Sequence, residues 1–352
     1  MVELKPIPHT TIPRSEFDKY PIWSEMRRCV VRDNITVNYY LHPNDSTKKE
    51  DGTPANLIGS DGQVMVEIKK FWWKWEVGTI KGKRTFRWWI SDRPKDGFTV
   101  HPAFYRDRDG DGIAEEVDER YYGAYLGFSS GGKLMSRTSV IPTGQKTIST
   151  FRTEAQKRGK GWGLVDYHLL HAVQLLYLLE YGHFDSKTKI GRGYVEGNSE
   201  VVDTGKTNRY GNKSFGETTG KHQLSYRGIE DFWGNCYYWI DGIVSDSNRN
   251  VLIGNVNFNN NGTGYKKYVM ELSNNVNSFI GDIHDNQELG FLIKEGGGSA
   301  TTKLYNYVYL YSSSVAVFGG HRASRSNTGV FSLHLLHSTS NTRLELGARL
   351  AC

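Results

Sequence analysis

Cysteine and proline are scarce in this chain of 352 residues, and their positions restrict the classes of protein it can be. There are three cysteines, Cys29, Cys236 and Cys352, which stand far apart. An odd, dispersed set of this kind provides neither a disulfide framework nor the paired spacing of a zinc site. All nine prolines fall at or before Pro142. We therefore expect two regions of different construction along the chain.

The chain also lacks the apolar segments that mark secretion signals and membrane spans. Residues 1–6 show no signal segment, and the apolar helix-like run near residues 169–179 is too short to cross a bilayer. We expect a soluble product, made in a bacterial cytoplasm and not inserted in a membrane. The net charge is +6, but lysine and arginine are scattered among acidic residues without a basic stripe. This distribution argues against nucleic-acid binding.

Aromatic residues, by contrast, make up 13% of the chain and suffice for a folded core. Residues 63–75 and 84–90 are rich in β-branched and aromatic residues, which predicts strands and a mostly β region over residues 1–100. Helices are predicted at 147–157 and at 164–181, the second ending at Gly182. We therefore predict an α+β chain, divided into residues 1–100 and 101–352.

The last part of the chain combines a regular frame with residues of mixed type. Residues 331–335 alternate apolar and polar side chains, which predicts a half-buried strand. The core side of this strand is expected to carry Phe331, Leu333 and Leu335. The solvent side is expected to carry Ser332 and His334.

Residues 343–346 repeat this alternation, with Arg343 and Glu345 predicted outward and Leu344 and Leu346 inward. Glycines near residues 319–320, 329 and 347 would fix the surrounding turns. A rigid frame that carries arbitrary side chains is typical of a binding face and not of a catalytic site. The alternative is an ordinary exposed sheet face.

A run of alternating aspartates resembles the start of a calcium loop. Asp107, Asp109 and Asp111 occupy positions 1, 3 and 5 of such a loop, and Gly112 occupies position 6. Position 12 would be Asp118, where a longer bidentate glutamate is usual. The flanking residues have the composition of strands and not of helices. Calcium binding and a plain acidic hairpin tip are therefore both open.

The sequence offers little that indicates catalysis. It contains no phosphate-binding-loop or His-Glu-x-x-His pattern, and no nucleophile or base can be nominated. His168 and His171 share one face of the second predicted helix and are best explained as packed side chains. We therefore predict that the protein is not an enzyme.

Residues 228–242 are rich in large aromatic side chains, among them Trp233, Tyr237 and Trp239. Within them, the segment 228–239 resembles the Gly-Asn-Val-Trp-Glu-Trp segment of the formylglycine-generating-enzyme-like type of C-type lectin fold. The C-terminal runs at 318–320 and 346–350 resemble the variable region of proteins diversified by retroelements, including phage receptor-binding proteins. Residues 63–68, 101–104 and 122–125 are similar to phage tail-tip or tail-fibre proteins with this fold.

The resemblance covers about residues 25–352 and implies a C-type lectin-like domain over 101–352, preceded by a β region that serves tail attachment or scaffolding. It implies a variable region at about 312–352, where changes of template adenines, mostly at asparagine codons, alter displayed side chains. The displayed positions would be His321, Arg322, Ala323, Ser324, Arg325, Ser332, His334, Leu336, His337, Arg343 and Glu345. Glu345 fits less well, because asparagine codons cannot become glutamate codons by these changes.

The resemblance implies a phage tail-tip adhesin in the virion that binds a host cell-surface protein or glycan and contacts other tail proteins. It also allows a homotrimer. The chain lacks the Glu-Pro-Asn and Trp-Asn-Asp sugar motifs of calcium-dependent lectins, which argues against a monosaccharide held on calcium. The alternatives are a purely structural tail component and an enzyme on the same fold. Copper held by Cys236 and Cys352 would favour the enzyme.

Overall fold

The computed structural model describes residues 13–197 and 200–352. The predicted lack of a signal segment concerns residues 1–6, which lie outside the described residues. In the described residues, no helix combines the length and the apolar character needed to cross a membrane. The α-helices are α1 Arg14–Phe17, α2 Pro21–Ser24, α3 Ile148–Gln156, α4 Tyr167–Tyr181 and α5 Ser186–Lys189.

Strands make up most of the regular structure. The earlier strands are β1 Arg27–Val31, β2 Val37–His42, β3 Asp45–Lys49, β4 Gln63–Lys69, β5 Trp72–Ile80, β6 Lys83–Ser91, β7 Thr99–Val100, β8 Tyr105–Arg106, β9 Glu115–Glu116, β10 Glu119–Gly123, β11 Phe128–Ser130, β12 Lys133–Met135 and β13 Gly163–Leu164. The later strands are β14 Ser225–Tyr226, β15 Ile229–Glu230, β16 Tyr237–Ser245, β17 Val251–Ile253, β18 Lys266–Tyr268, β19 Val276–Phe279, β20 Asp282–Ile283, β21 Ile293–Glu295, β22 Tyr307–Leu310, β23 Val315–Phe318, β24 Leu333–His337, β25 Leu346–Gly347 and β26 Leu350–Ala351. The prediction of a mixed chain is confirmed, and β structure predominates.

One sheet joins the two ends of the chain. Its strand order is β13-β26-β10-β4-β1-β2-β3. The strands near the amino terminus therefore share a sheet with β26, close to the carboxyl terminus. The division at residue 100 stays a prediction, and strands from both sides of that residue pair here. The predicted strand at 63–75 is interrupted after Lys69, so that β4 enters this sheet and β5 forms a separate hairpin with β6.

A second sheet carries the C-terminal segment, with the strand order β18-β17-β16-β23-β24-β22-β19. Most of its pairs are antiparallel, but β22 runs parallel to β24, and β25 pairs in parallel with β16. The aromatic run at 228–242 leads into β16. Its Trp233, before the strand, and its Trp239, within the strand, are fully buried in the core. The sheet thus places β23 and β24 between strands that come from earlier parts of the chain.

Helix α4 is the central core element, and residues 167–180 are all buried. Its first turn is capped by Asp166, whose Oδ1 accepts a hydrogen bond from the Leu169 N–H over 3.0 Å. Gly182, with φ +59°, ends it as predicted. The start differs from the predicted residue 164, because β13 pairs with β26 before the helix begins. The other predicted helix is confirmed as α3, capped by the Thr147 hydroxyl.

The histidines of α4 are packed side chains, as predicted. Both are buried, and Nδ1 of His171 lies 3.1 Å from Nε2 of His101. Burial lowers the pKa of His168 to about 4 and that of His171 to about 3. Both rings are therefore neutral at physiological pH and contribute to the core as aromatic groups.

A buried arginine joins the C-terminal strand to the rest of the core. The Arg349 guanidinium is fully buried and donates to the carbonyl of Gly123 over 2.9 Å. It also donates to the carbonyls of Glu230 and Asp231, each over 2.8 Å. These hydrogen bonds fix the segment that follows β25 to the end of β10, to β15 and to the residue after β15.

Candidate ligand-binding face

Two glycines begin the loop that carries the first predicted contact residues. Gly319 and Gly320 follow β23 with φ values of +93° and +70°, a region that favours glycine. A Cβ on Gly320 would lie 2.3 Å from Oγ1 of Thr328. That hydroxyl donates to the carbonyl of Gly319 over 2.9 Å. The base of the loop is therefore closed by contacts outside residues 321–327.

The loop itself is held largely through its main chain. The N–H of Arg322 donates to the carbonyl of Asn235 over 3.0 Å, and the N–H of Arg325 donates to that of Val195 over 3.1 Å. These bonds do not depend on the identity of either arginine side chain. All the predicted contact residues of the loop are exposed or half-buried: His321, Arg322, Ala323, Ser324 and Arg325.

A bulge in β24 decides which of its side chains share a face. Val315 and Ala316 are consecutive on β23, but their partners on β24 are His337 and Leu335. Leu336 is therefore an extra residue in β24. It is half-buried, whereas its neighbours are buried.

Three of the predicted contact residues lie beneath the surface. The exposed fraction is 0% for Ser332, 3% for His334 and 4% for His337. The prediction that Ser332 and His334 point outward is wrong, and His337 is not displayed either. The core positions Phe331, Leu333 and Leu335 are confirmed as buried. The strand begins at Leu333 and not at residue 331.

Aromatic rings cover the two histidines. The ring centroid of Tyr237 lies 5.5 Å from that of His334 and 6.5 Å from that of His337. Tyr309 lies 5.4 Å from His334, and its main-chain N–H donates to Nδ1 of this histidine over 3.3 Å. Trp239 lies 5.7 Å from His337. Period-two alternation failed here because both faces of β24 are covered.

Burial keeps these histidines uncharged. It lowers the pKa of His334 to about 3, and the neighbouring His337 adds to this effect. Burial also lowers the pKa of His337 to about 4, with a further contribution from Arg343. The imidazoles therefore form a neutral aromatic floor under the loop residues at physiological pH.

Ser332 has a different structural role. Its hydroxyl accepts from the N–H of Gly329 over 3.0 Å and donates to Oδ1 of Asn306 over 3.2 Å. It thereby holds the turn that leads into β24. A side chain with these partners belongs to the frame and not to the displayed set.

The second predicted alternating stretch is a loop and turn and not a strand. Residues 343–345 precede β25, and the predicted strand survives only at Leu346–Gly347. Arg343 is exposed and Glu345 half-buried, with 4.0 Å between their charged groups. Leu346 is buried as predicted, but Leu344 is 46% exposed, and the prediction that it faces the core is wrong. A turn does not keep the period-two direction of side chains.

We call the surface formed by the accessible members of the predicted set the C-terminal face. Its residues are His321, Arg322, Ala323, Ser324, Arg325, Leu336, Arg343 and Glu345. The His321 ring lies 5.1 Å from that of Tyr237, which connects the face to the aromatic floor. Whether these residues bind a ligand stays a prediction.

Sequence reasoning missed a row of tyrosines beside this face. Tyr307, Tyr309 and Tyr311 are half-buried, and their ring centroids are spaced by 5.4 Å and 5.8 Å. They alternate with the buried Val308 and Leu310. This Tyr-x-Tyr-x-Tyr pattern is visible in the sequence and is the signal that could have identified them. Amphipathic rings of this kind are well suited to contacts with a partner.

The aspartate run forms the tip of a hairpin between β8 and β9, as the flanking composition predicted. One carboxylate oxygen from each of Asp107, Asp109 and Asp111 lies within 4.8 Å of the others. The two oxygens of Asp107 accept main-chain hydrogen bonds from Gly110 and Gly112 over 2.6 Å and 3.0 Å. The same carboxylates therefore both shape the turn and offer oxygen ligands.

The twelfth position of the presumed calcium loop has another partner. Asp118 accepts a hydrogen bond from Nζ of Lys70 over 2.6 Å. That ion pair lowers the pKa of the Asp118 carboxyl. The donor set thus provides three carboxylates from one turn but not the bidentate ligand that closes an EF-hand loop. Calcium binding stays a proposal.

All three cysteines, Cys29, Cys236 and Cys352, are buried free thiols. Burial raises the pKa of the Cys352 thiol to about 12 and raises that of Cys236 as well. Neither sulfur is a thiolate at neutral pH, and the thiolate is the form that binds metals and attacks substrates.

The sequence matches no family model and no curated protein. Solved structures that are similar to the chain include two variants of the Major Tropism Determinant. The U1 variant is 14% identical with a TM-score of 0.32, and the M1 variant is 13% identical with a TM-score of 0.33. Each alignment covers 85% of this chain and 73% of the other. PvdO from Pseudomonas aeruginosa is 11% identical with a TM-score of 0.30, over 83% of this chain and 95% of that protein.

Proposed function

We propose that this chain is a binding protein and not an enzyme, and that the C-terminal face contacts a protein or glycan on a host cell surface. The observation that carries the proposal is the separation of frame from face. The frame is closed by buried groups such as Thr328 and Arg349, whereas the loop that carries the first five residues of the face is anchored through main-chain hydrogen bonds, which do not depend on those side chains. Such a face can change its side chains without a change of fold.

The finer parts of the proposal rest on the sequence resemblance described above. They are a C-type lectin-like domain, a position at the tip of a phage tail, contact with other tail proteins, and a homotrimer. Retroelement-driven change of residues within about 312–352 is part of the same proposal. The buried His334 and His337 would then act through the shape of the floor, and Ser332 through the turn before β24, and none of them by direct contact.

The test replaces the three arginines of the face, of which Arg325 and Arg343 are exposed and Arg322 is half-buried, and leaves the frame intact. We expect the triple variant Arg322→Ala, Arg325→Ala and Arg343→Ala to lose binding to host cells while its melting temperature changes little, because surface substitutions rarely exceed about 0.5 kcal/mol. A matched control removes three exposed cations elsewhere, at Arg93, Lys95 and Lys157. Equal binding by the two triple variants would sink the proposal.

The proposed diversification has a separate test in the genome. We expect a reverse transcriptase gene near this one, with a near-copy of the 3′ end of the coding sequence that differs mainly at adenines. The copy should differ at the codons of the C-terminal face and agree at those of Gly319, Gly320 and Arg349. Differences that fall equally on frame and face codons would contradict it.

A further inference from the structure

A cleft away from the C-terminal face has a volume of about 650 Å³. It lies between the β8–β9 hairpin, helix α3 with the turn that follows it, and the loop after β17. Its charged lining residues are Arg106, Arg152, Lys160, Asp107 and Asp241, and Gly163 and Phe258 also line it. No residue of the C-terminal face lines it. The size falls in the usual range for small-molecule sites, about 300–1,000 Å³.

Arg106 is the unusual residue of this cleft. Its exposed fraction is 7%, and within the described residues its Nε has no hydrogen-bond partner. The Phe258 ring covers the guanidinium, with 5.0 Å between Cζ and the ring centroid. Burial, to which Arg120 adds, lowers the pKa of Arg106, the direction expected for a cation with too few acceptors.

The neighbouring carboxylates already have other hydrogen-bond donors. Asp107, which also lines the cleft, accepts from the main-chain N–H groups of Gly110 and Gly112. Asp166 accepts from Nη2 of Arg120 over 2.7 Å, and its second oxygen caps α4. Asp241 accepts from Nε and Nη2 of Arg152 over 2.9 Å and 2.5 Å. Asp166 and Asp241 both lie near enough to Arg106 to act against the lowering of its pKa, but they accept hydrogen bonds from other residues. A buried charge without its own acceptor is costly, which calls for a ligand.

The absence of a side chain at Gly163 leaves room for the guanidinium of Arg106. A Cβ added to Gly163 would lie 2.8 Å from Nη2 of Arg106, with no other atom in close range. The Nη end therefore lies at the cleft wall formed by this glycine. Lys160, which is exposed, adds a second cation at the same cleft. One charged donor at the bottom and one at the rim suit an oxyanion.

We propose that this cleft binds a small polar ligand through an oxyanion, a carboxylate or a phosphate, which accepts hydrogen bonds from the Nη end of Arg106. The remainder of the ligand contacts Phe258 and the rim near Lys160. The site is separate from the C-terminal face, and the inference does not rest on the proposed function.

The experiment measures binding by titration calorimetry, with inorganic phosphate and glucuronate as separate probes at low ionic strength. We expect at least one probe to bind the unchanged chain. Arg106→Gln should weaken that binding by roughly tenfold to a hundredfold, since one hydrogen bond to a charged group is lost. The probe that binds more tightly distinguishes a phosphate ligand from a sugar carboxylate.

Two further variants keep the test decisive if Arg106→Gln fails to fold. Gly163→Ala places a methyl group against Nη2 and should also weaken binding, with little effect on the melting temperature. Lys160→Gln should weaken binding by up to about fivefold, the range for one exposed charge. Its matched control is Lys157→Gln, an exposed lysine nearby that does not line the cleft, and it should bind as the unchanged chain does.

No binding of either probe by the unchanged chain would overturn the proposal. So would equal binding by the unchanged chain and by Gly163→Ala together with Lys160→Gln, because the anion would then sit elsewhere.

Discussion

Arg343 and Arg349 lie in the same short segment and have opposite environments. The Arg343 side chain is 61% exposed, and its nearest ion-pair contact is Glu345 at 4.0 Å. Arg349 is fully buried and holds three main-chain carbonyls. The difference shows that residue type says little about role in this segment. The partners brought by distant strands decide whether an arginine belongs to the frame or to the face.

The largest effect should come from removing the buried guanidinium. Arg349→Met keeps much of the side-chain length but leaves the carbonyls of Gly123, Glu230 and Asp231 without their donor. We expect the free energy of unfolding to fall by roughly 3 kcal/mol or more, measured by urea denaturation. Arg343→Met should change it by less than about 0.5 kcal/mol. Similar losses in the two variants would abolish the distinction between frame and face.

Acidification should lower the stability of the protein through the buried histidines beneath the face. The pKa of His334 is about 3 in the folded chain and about 6.5 when unfolded, so the unfolded state takes up the proton first. The stability contributed by the neutral ring is complete above about pH 6.5 and falls as the pH decreases towards 3. Between pH 7 and pH 5 we expect a loss of about 2 kcal/mol from this histidine.

The matching variant is His334→Asn, which keeps an acceptor for the Tyr309 N–H but does not titrate. Between pH 7 and pH 5, the free energy of unfolding of this variant should fall by about 2 kcal/mol less than that of the unchanged chain. Urea denaturation at both pH values measures this difference. An unchanged pH dependence would mean that His334 is accessible to protons in the folded protein.

The smallest effect concerns two serines. Ser332→Ala removes buried hydrogen bonds to Gly329 and Asn306 and should lower the free energy of unfolding by about 1–2 kcal/mol. Ser338→Ala, at an exposed position after β24, should leave the free energy of unfolding nearly unchanged. Urea denaturation measures both variants. Equal effects would place Ser332 outside the frame.

Local signals in the sequence predicted the elements that depend on local physics. The cap residues Thr147 and Gly182 marked the ends of α3 and α4, because capping involves only neighbouring residues. Alternation correctly placed Leu333 and Leu335 in the core. It misplaced His334, because the opposite face of β24 is covered by Tyr237 and Tyr309, which come from other strands.

The cleft around Arg106 could not be predicted from the sequence at all. Its neighbours Gly163 and Phe258 are distant along the chain, and nothing near Arg106 indicates that its acceptors are taken. The face was easier to predict, because most of its residues lie in one continuous loop. Only the tertiary structure shows which arginines lack a partner and which carboxylates are already used.

The bulge at Leu336 separates a position of the face from the strand pairing around it. Leu335 lies opposite Ala316 and His337 opposite Val315, so both residues keep their partners with or without the inserted Leu336. Deletion of Leu336 would therefore leave His337 beside Tyr237 and remove only a half-buried side chain of the C-terminal face. Deletion of His334 would instead shift buried side chains to the opposite side of the strand. The strand thus contains one residue that its pairing does not require, and that residue is available for change in both type and number.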